Sequence, residues 1–176
     1  LVERNRAAHR MLVDGVAVEY RRKDGSVAGS QARVIDFDHP ENNEFVVANQ
    51  FTVIENHQNK RPDLVLFVNG IPLVVIELKK PGVPARQAFD ENLTSYKHPQ
   101  NGIPQLFWYS AFLIASNGTD SRVGTITADW ERFFEWKRIE REDEPRRVSL
   151  EVMLRGTCAP ARLLDIAENF TLFSEH

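Results

Sequence analysis

Arg61-Pro62-Asp63-Leu64-Val65-Leu66-Phe67-Val68-Asn69-Gly70-Ile71-Pro72-Leu73-Val74-Val75-Ile76-Glu77-Leu78-Lys79-Lys80 decides the fold. Two strongly apolar runs of strand character meet at a turn. Both faces of Leu64–Val68 and of Leu73–Ile76 are apolar. Strands buried on both faces read this way, so the hairpin belongs in the middle of a covered sheet. The only charged side chains of the pair sit at its open end: Asp63 on the first run, Glu77 and Lys79 on the second. Burying such charges beside a hydrophobic sheet costs several kcal/mol unless they pair or bind a metal.

The register of this hairpin settles whether the charges can cooperate. A plain two-residue Asn69-Gly70 turn pairs Val68 with Ile71, and therefore Asp63 with Ile76. Side chains alternate faces along a strand, so Asp63 and Glu77 would point to opposite sides of the sheet. One β-bulge, or a three-residue loop, shifts the register by one. Asp63 then faces Glu77, with Lys79 on the same face and Leu78 in the opposite layer. Pro72 cannot donate a ladder hydrogen bond and also argues against a strict hairpin. The sequence therefore predicts an odd-numbered loop or a bulge.

The flanks complete a mixed α/β pattern. Val2–Val13 reads as a short helix with Ala8, Met11 and Leu12 on its apolar side. Val16–Arg22 and Val27–Phe37 read as strands around Lys23-Asp24-Gly25-Ser26, an N-terminal β-hairpin region. Glu44–Ile54 is β-rich, and 55–60 is a polar connection. After Pro81-Gly82-Val83-Pro84, Ala85–Lys97 reads as a helix with Ala85, Phe89, Asn92, Leu93 and Tyr96 on one face. Gln105–Trp108 has helical character, Ala111–Ser116 is a buried strand, and Asn117-Gly118 turns into Arg122–Ile126. Ile139–Arg147 is a mixed-charge connector. Pro160–Phe173 reads as an amphipathic helix with Leu163, Leu164, Ala167 and Phe170 as its stripe. The order argues for a mixed sheet with flanking helices.

Composition narrows the function classes. The chain has 176 residues, a formal net charge of -3 and one cysteine. An internal disulfide and a cysteine metal cluster are excluded, and Cys158 reads as a packed side chain in a protein of a reducing cytoplasm. No apolar run approaches the ~20 residues of a membrane helix. The slight negative charge weighs little against nucleic acid, because a carboxylate site that binds a cation lowers net charge. The chain begins at Leu1 and ends at Glu175-His176, and both ends read as those of a fragment.

Two carboxylates on adjacent strands, Asp63 and Glu77, with a backbone carbonyl such as that of Leu78, form an oxygen-only donor set. Hard cations, Mg²⁺ or Mn²⁺, prefer such ligands. Lys79 within reach of a bound water can orient it or neutralise a phosphoryl transition state. Lys60, Arg61, Lys80, Arg86 and Lys97 flank the site in sequence and suit a nucleic-acid backbone. Asn92 and Tyr96, at i, i+4 on the following helix, could reach the metal site or a phosphate. Taken singly, Pro-Asp and Glu-x-Lys are weak signals; their combination across a buried hairpin is much stronger.

The pattern Pro62-Asp63 … Glu77-Leu78-Lys79 resembles the PD-(D/E)xK nuclease superfamily. With Asn49-Gln50-Phe51, Ser116-Asn117-Gly118, the run 130–137 and Glu168-Asn169-Phe170, the chain resembles the N-terminal nuclease domain of the restriction (R) subunit of type I restriction–modification enzymes. The resemblance implies a restriction-endonuclease-like sheet and Mg²⁺-dependent cleavage of double-stranded DNA. It also implies an ATP-driven motor beyond this fragment, and methylation and specificity subunits as partners. Asp63 and Glu77 would then be metal ligands and Lys79 the catalytic lysine. The family's Gln-x-x-x-Tyr motif maps to Asn92 and Tyr96, with Asn shorter than Gln by one methylene. No Gly-x-x-x-x-Gly-Lys-Ser/Thr phosphate loop occurs here, so ATP belongs to the motor. Residues 1–138 read as the endonuclease domain and 139–176 as a connector and helix leading towards the motor.

Other candidates are weaker. His57, and the Asp36, Asp38 and His39 group, read best as loop residues. Glu19 and Glu44 lie on β segments, and Glu3 on the first helix resembles an acid that some nucleases of the superfamily use. Trp108, Trp130 and Trp136 read as packing residues rather than base-stacking platforms. Two alternatives to the restriction reading are a stand-alone repair nuclease of the same fold and a catalytically silent nucleic-acid-binding or docking module.

Overall fold

A five-stranded mixed sheet organises the chain, whose computed structural model describes residues 1–173. The C-terminal Glu175-His176 lies outside them. The strands are β1 (Val16–Arg21), β2 (Val27–Ala32), β3 (Phe45–Asn49), β4 (Val53–Glu55), β5 (Gln58–Lys60), β6 (Leu64–Val68), β7 (Ile71–Leu78), β8 (Phe112–Ser116) and β9 (Ser121–Gly124). The main sheet runs β3-β6-β7-β8-β9, with β7 and β8 parallel and the other neighbours antiparallel. β7 is therefore the central strand, as its two apolar faces require. β1 pairs with β2, and β4 with β5, as separate two-stranded ribbons.

The hairpin β6–β7 carries the expected irregularity, and it is a bulge. Val68 pairs with Ile71 around Asn69 and Gly70, whose φ values of 49° and 79° make a two-residue turn of left-handed residues. Phe67 pairs with Pro72, but Leu66 pairs with Val74, so Leu73 is the extra residue. Its carbonyl is not wasted: Ala111 N–H, at the entry to β8, donates to it at 2.8 Å. Beyond the bulge Leu64 pairs with Ile76, which sets Asp63 opposite Glu77. Asn69 staples the turn to the chain before β3, accepting from Glu44 N–H at 2.8 Å and donating to Val34 O and Asn43 Oδ1, both at 2.9 Å.

Each face of the sheet has its own core. Leu66, Val74, Ile76 and Ile114 pack with Leu12, Met153, Leu163, Leu164 and Ala167 on one side. Val65, Val75, Leu113 and Ala115 pack with Phe89, Leu93, Tyr96, Phe107 and Phe133 on the other. Burying one such aliphatic or aromatic side chain stabilises by roughly 1.5–3 kcal/mol. The first helix, Val2–Asp14, buries Asn5, Ala8 and Leu12, while Met11 is half exposed, unlike its expected place. Asn5 Nδ2 lies within 3.2 Å of the carbonyls of Phe107, Trp108 and Ser110, which anchors this helix at the start of β8.

Several sequence expectations need correction. The segment 55–60 is not a plain connection. Glu55 and Gln58 pair across Asn56-His57, both left-handed and exposed, as a short hairpin. Helix Ser149–Thr157 escaped the sequence reading; it buries Val152, Met153, Gly156 and Thr157. Trp136 lies so close over Gly156 that any side chain there would strike its indole. The last helix ends at Asn169, leaving Phe170 mostly exposed rather than on the stripe. Among the described residues, no helix is long and apolar enough to cross a membrane.

Candidate metal-dependent active site

Asp63 and Glu77 meet at the open end of β6 and β7, on the face covered by the helix after the hairpin. Asp63 N–H donates to Glu77 Oε1 at 3.1 Å, and Leu78 N–H donates to Asp63 Oδ2 at 2.9 Å. The two carboxylates thus clamp each other's strand. Glu77 is only 2% exposed. Burial, reinforced by the neighbouring Asp63 charge, pushes its carboxyl up to about 8. A carboxylate pair in this state resists holding two negative charges and favours a shared proton or a cation between them. Leu78 faces the opposite core, as the register argument requires.

The covering helix is continuous through Ala85–Gln87, Ala88–Leu93 and Thr94–Tyr96, but its middle turn is a π turn. Thr94 N–H donates to Phe89 O, five residues back. Such widened turns occur often at functional sites. Asn92, inside the π turn, donates from Nδ2 to Tyr96 Oη at 3.3 Å. The Tyr96 hydroxyl in turn interacts with the Glu77 carboxylate, and burial pushes its own pKa up to about 12. Asn92, Tyr96 and Glu77 therefore form one chain of polar groups beneath the helix. Asn92 Oδ1 is buried without a hydrogen-bond partner among the described residues. A buried acceptor of this kind calls for a donor, such as a water.

Lys79 is committed to an acid the sequence reading did not name. Its Nζ lies 2.9 Å from Glu91 Oε2, on the π turn. Gln50, at the end of β3, was also missed as a site residue: Nε2 donates to Asp63 Oδ1 at 2.6 Å, and its N–H donates to Asp63 O at 2.8 Å. Its signal in the sequence was only its place beside Asn49 and Phe51. Among the described residues, no three of His, Cys, Asp and Glu gather as a metal cluster. The groups that could hold a cation here are the two carboxylates. Their chemistry, oxygen only and with two acids in close contact, fits a hard divalent cation.

The remaining candidates separate. Among the described residues Lys60, Arg61 and Lys80 carry no ion pair, whereas Arg86 pairs with Asp90 at 3.1 Å. Lys97 turns inward, donating to Ile126 O at 2.9 Å and lying 5.5 Å from the Phe89 ring centroid, so it is not a free phosphate contact. Its pKa is lowered by burial. Asp36 and His39 pair at 3.5 Å within their loop, and Asp38 pairs with Arg33. His57 is an exposed turn residue. Glu44 sits beside Asn69, at the far end of the hairpin from Asp63. Glu19 is exposed on the outlying ribbon, and Glu3 is exposed on the helix docked at the opposite end of β8. Trp130 stacks with Phe133 at 5.9 Å, and Arg122 covers it. Cys158 is packed, its thiol pushed up to about 11 by burial.

The family model described as "Type I restriction enzyme R protein N terminus" matches residues 1–132. The chain is 39% identical over 181 residues to the type I restriction enzyme HindI endonuclease subunit of Haemophilus influenzae, covering 98% of this chain and 17% of that protein. It is 33% identical over 192 residues to the MjaIXP endonuclease subunit of Methanocaldococcus jannaschii, covering 96% of this chain and 18% of the relative. Over 80 residues it is 44% identical to the EcoprrI endonuclease subunit of Escherichia coli, covering 46% of this chain and 25% of the relative. The chain thus spans less than a fifth of the length of the first two relatives.

Proposed function

The chain belongs to the family of type I restriction enzyme R protein N termini, and on that premise we propose that it is a Mg²⁺-dependent endonuclease domain that cleaves double-stranded DNA. The observation that carries this reading is the contact between Asp63 and Glu77 across β6 and β7. In this reading Asp63, Glu77 and the Leu78 carbonyl hold the cation, for which Mn²⁺ can substitute. A bound divalent cation lowers the pKa of a water and stabilises charge on a phosphoryl oxygen. Lys79, released from Glu91 or carried by it, orients the attacking water or neutralises the charge that develops on the phosphate. Tyr96 and Asn92 fix the Glu77 carboxylate from the helix side. Lys60, Arg61 and Lys80 hold backbone phosphates.

We assign residues 1–138 to the nuclease unit; the helices that follow, whose Met153, Leu163, Leu164 and Ala167 close one face of its sheet, lead on towards an ATP-driven motor. Methylation and specificity subunits then choose the DNA, in the cytoplasm. A silent docking module accounts less well for the site: neither Asp63 nor Glu77 is neutralised by an ion pair among the described residues. The test is Lys79→Ala in the assembled full-length enzyme, assayed for both ATP hydrolysis and DNA cleavage. Cleavage should be lost with ATP hydrolysis retained; loss of both, or of neither, overturns the assignment.

A further inference from the structure

Gln50 holds the backbone conformation that long side chains avoid. Its φ is 51°, in the left-handed region, where glycine and asparagine are the favoured residues. It directly follows Asn49, the last residue of β3, which pairs with Leu64. The left-handed step turns the chain back on β6, and two groups of Gln50 reach the same residue. Its N–H donates to Asp63 O at 2.8 Å and its Nε2 donates to Asp63 Oδ1 at 2.6 Å. The second bond is a short one to a carboxylate, the stronger kind. A glycine would take this conformation and keep the first bond; only a side-chain amide supplies the second.

We propose that Gln50 is a positioning residue for the cation site, setting the rotation of the Asp63 carboxylate. This rests on the metal-site reading above. Asp63 has one oxygen held by Leu78 N–H and the other by Gln50. With one bond on each oxygen, the rotation of the carboxylate is fixed by its two donors. A cation then meets a preset ligand rather than one that must be ordered on binding. Gln50 adds no charge to a site that already holds two acids in contact, which a third carboxylate would do.

The test uses the full 176-residue chain and Mn²⁺ binding followed by calorimetry in the absence of DNA and nucleotide. Gln50→Leu should weaken Mn²⁺ binding about tenfold, within the range seen for residues that orient metal ligands. Gln50→Gly should weaken it as much while melting above Gln50→Leu, because both lose the bond but glycine relieves the left-handed backbone. In an Asp63→Ala background neither substitution should weaken binding further, since the effect passes through Asp63. If Asp63→Ala weakens Mn²⁺ binding while Gln50→Leu and Gln50→Gly stay within twofold of the parent, the positioning role is refuted. If Asp63→Ala itself leaves Mn²⁺ binding unchanged, the metal-site reading fails, and with it the ground for this role. Additive losses in the double variants would assign Gln50 a contribution independent of Asp63 and overturn the proposal.

Discussion

Asp63 and Glu77 each bind the other's strand: Asp63 N–H reaches Glu77 Oε1 at 3.1 Å, and Leu78 N–H reaches Asp63 Oδ2 at 2.9 Å. The reciprocal clamp forces two acids into contact in a place where Glu77 is almost wholly buried. One consequence is a pH dependence of stability with an unusual sign. Burial first, and the Asp63 charge second, raise Glu77 from 4.5 to about 8. Between those values the native chain keeps a proton that the unfolded chain has released, so stability falls as pH rises. The cation-free chain should lose on the order of a few kcal/mol between about pH 5 and pH 8. Urea unfolding in chelator at several pH values measures it. Glu77→Gln should flatten the slope, and a midpoint that climbs over this window would contradict the account.

The orphaned Asn92 Oδ1 yields an opposite pair of effects. Leaving a buried acceptor unpaired costs about 1–3 kcal/mol. Asn92→Leu removes that acceptor, so the melting temperature should hold or rise. The same change strips Tyr96 Oη of its donor, so DNA cleavage by the full enzyme should fall about tenfold. Asn92→Gln retains an amide and should keep cleavage near the parent level. A stability loss in Asn92→Leu would mean that Oδ1 has a native partner.

Asn69 is the structural counterpart of the site, at the other end of the hairpin. It is left-handed and its side chain makes three bonds that tie the turn to Glu44, Val34 and Asn43. Asn69→Ala should destabilise by about 2 kcal/mol, combining lost bonds with a strained alanine. Asn69→Gly, free of the strain, should cost less. Denaturant midpoints of the two variants give the comparison; equal losses would mean the backbone conformation contributes nothing.

The hairpin's geometry was legible because its grammar is local. Two apolar runs, Pro72 and the alternation of side chains required a shifted register for Asp63 to meet Glu77. The bulge at Leu73 supplies the shift while Asn69-Gly70 remains a two-residue turn. What stayed hidden arrives from elsewhere in the chain. Gln50 reaches Asp63 from the end of β3, and Glu91 reaches Lys79 from the helix; neither contact has a spacing rule. The β4–β5 hairpin has three residues per strand, and its second strand, Gln58-Asn59-Lys60, has no apolar side chain to mark it. Helix Ser149–Thr157 contains Gly156, which weakens its helical pattern, because Trp136 occupies the space a side chain would fill. Lys97 read as a surface cation, yet Phe89 and the Ile126 carbonyl hold it inward.

We propose Asp63 and Glu77 as the cutting site of a DNA endonuclease. The most direct test is Asp63→Asn in the full-length subunit assembled with its partner subunits, comparing double-strand cleavage with ATP hydrolysis in one preparation. Cleavage should fall by roughly a thousandfold or more, as for loss of an essential electrostatic group, while ATP hydrolysis stays within about twofold of the parent. Cleavage at the parent rate would contradict the proposal.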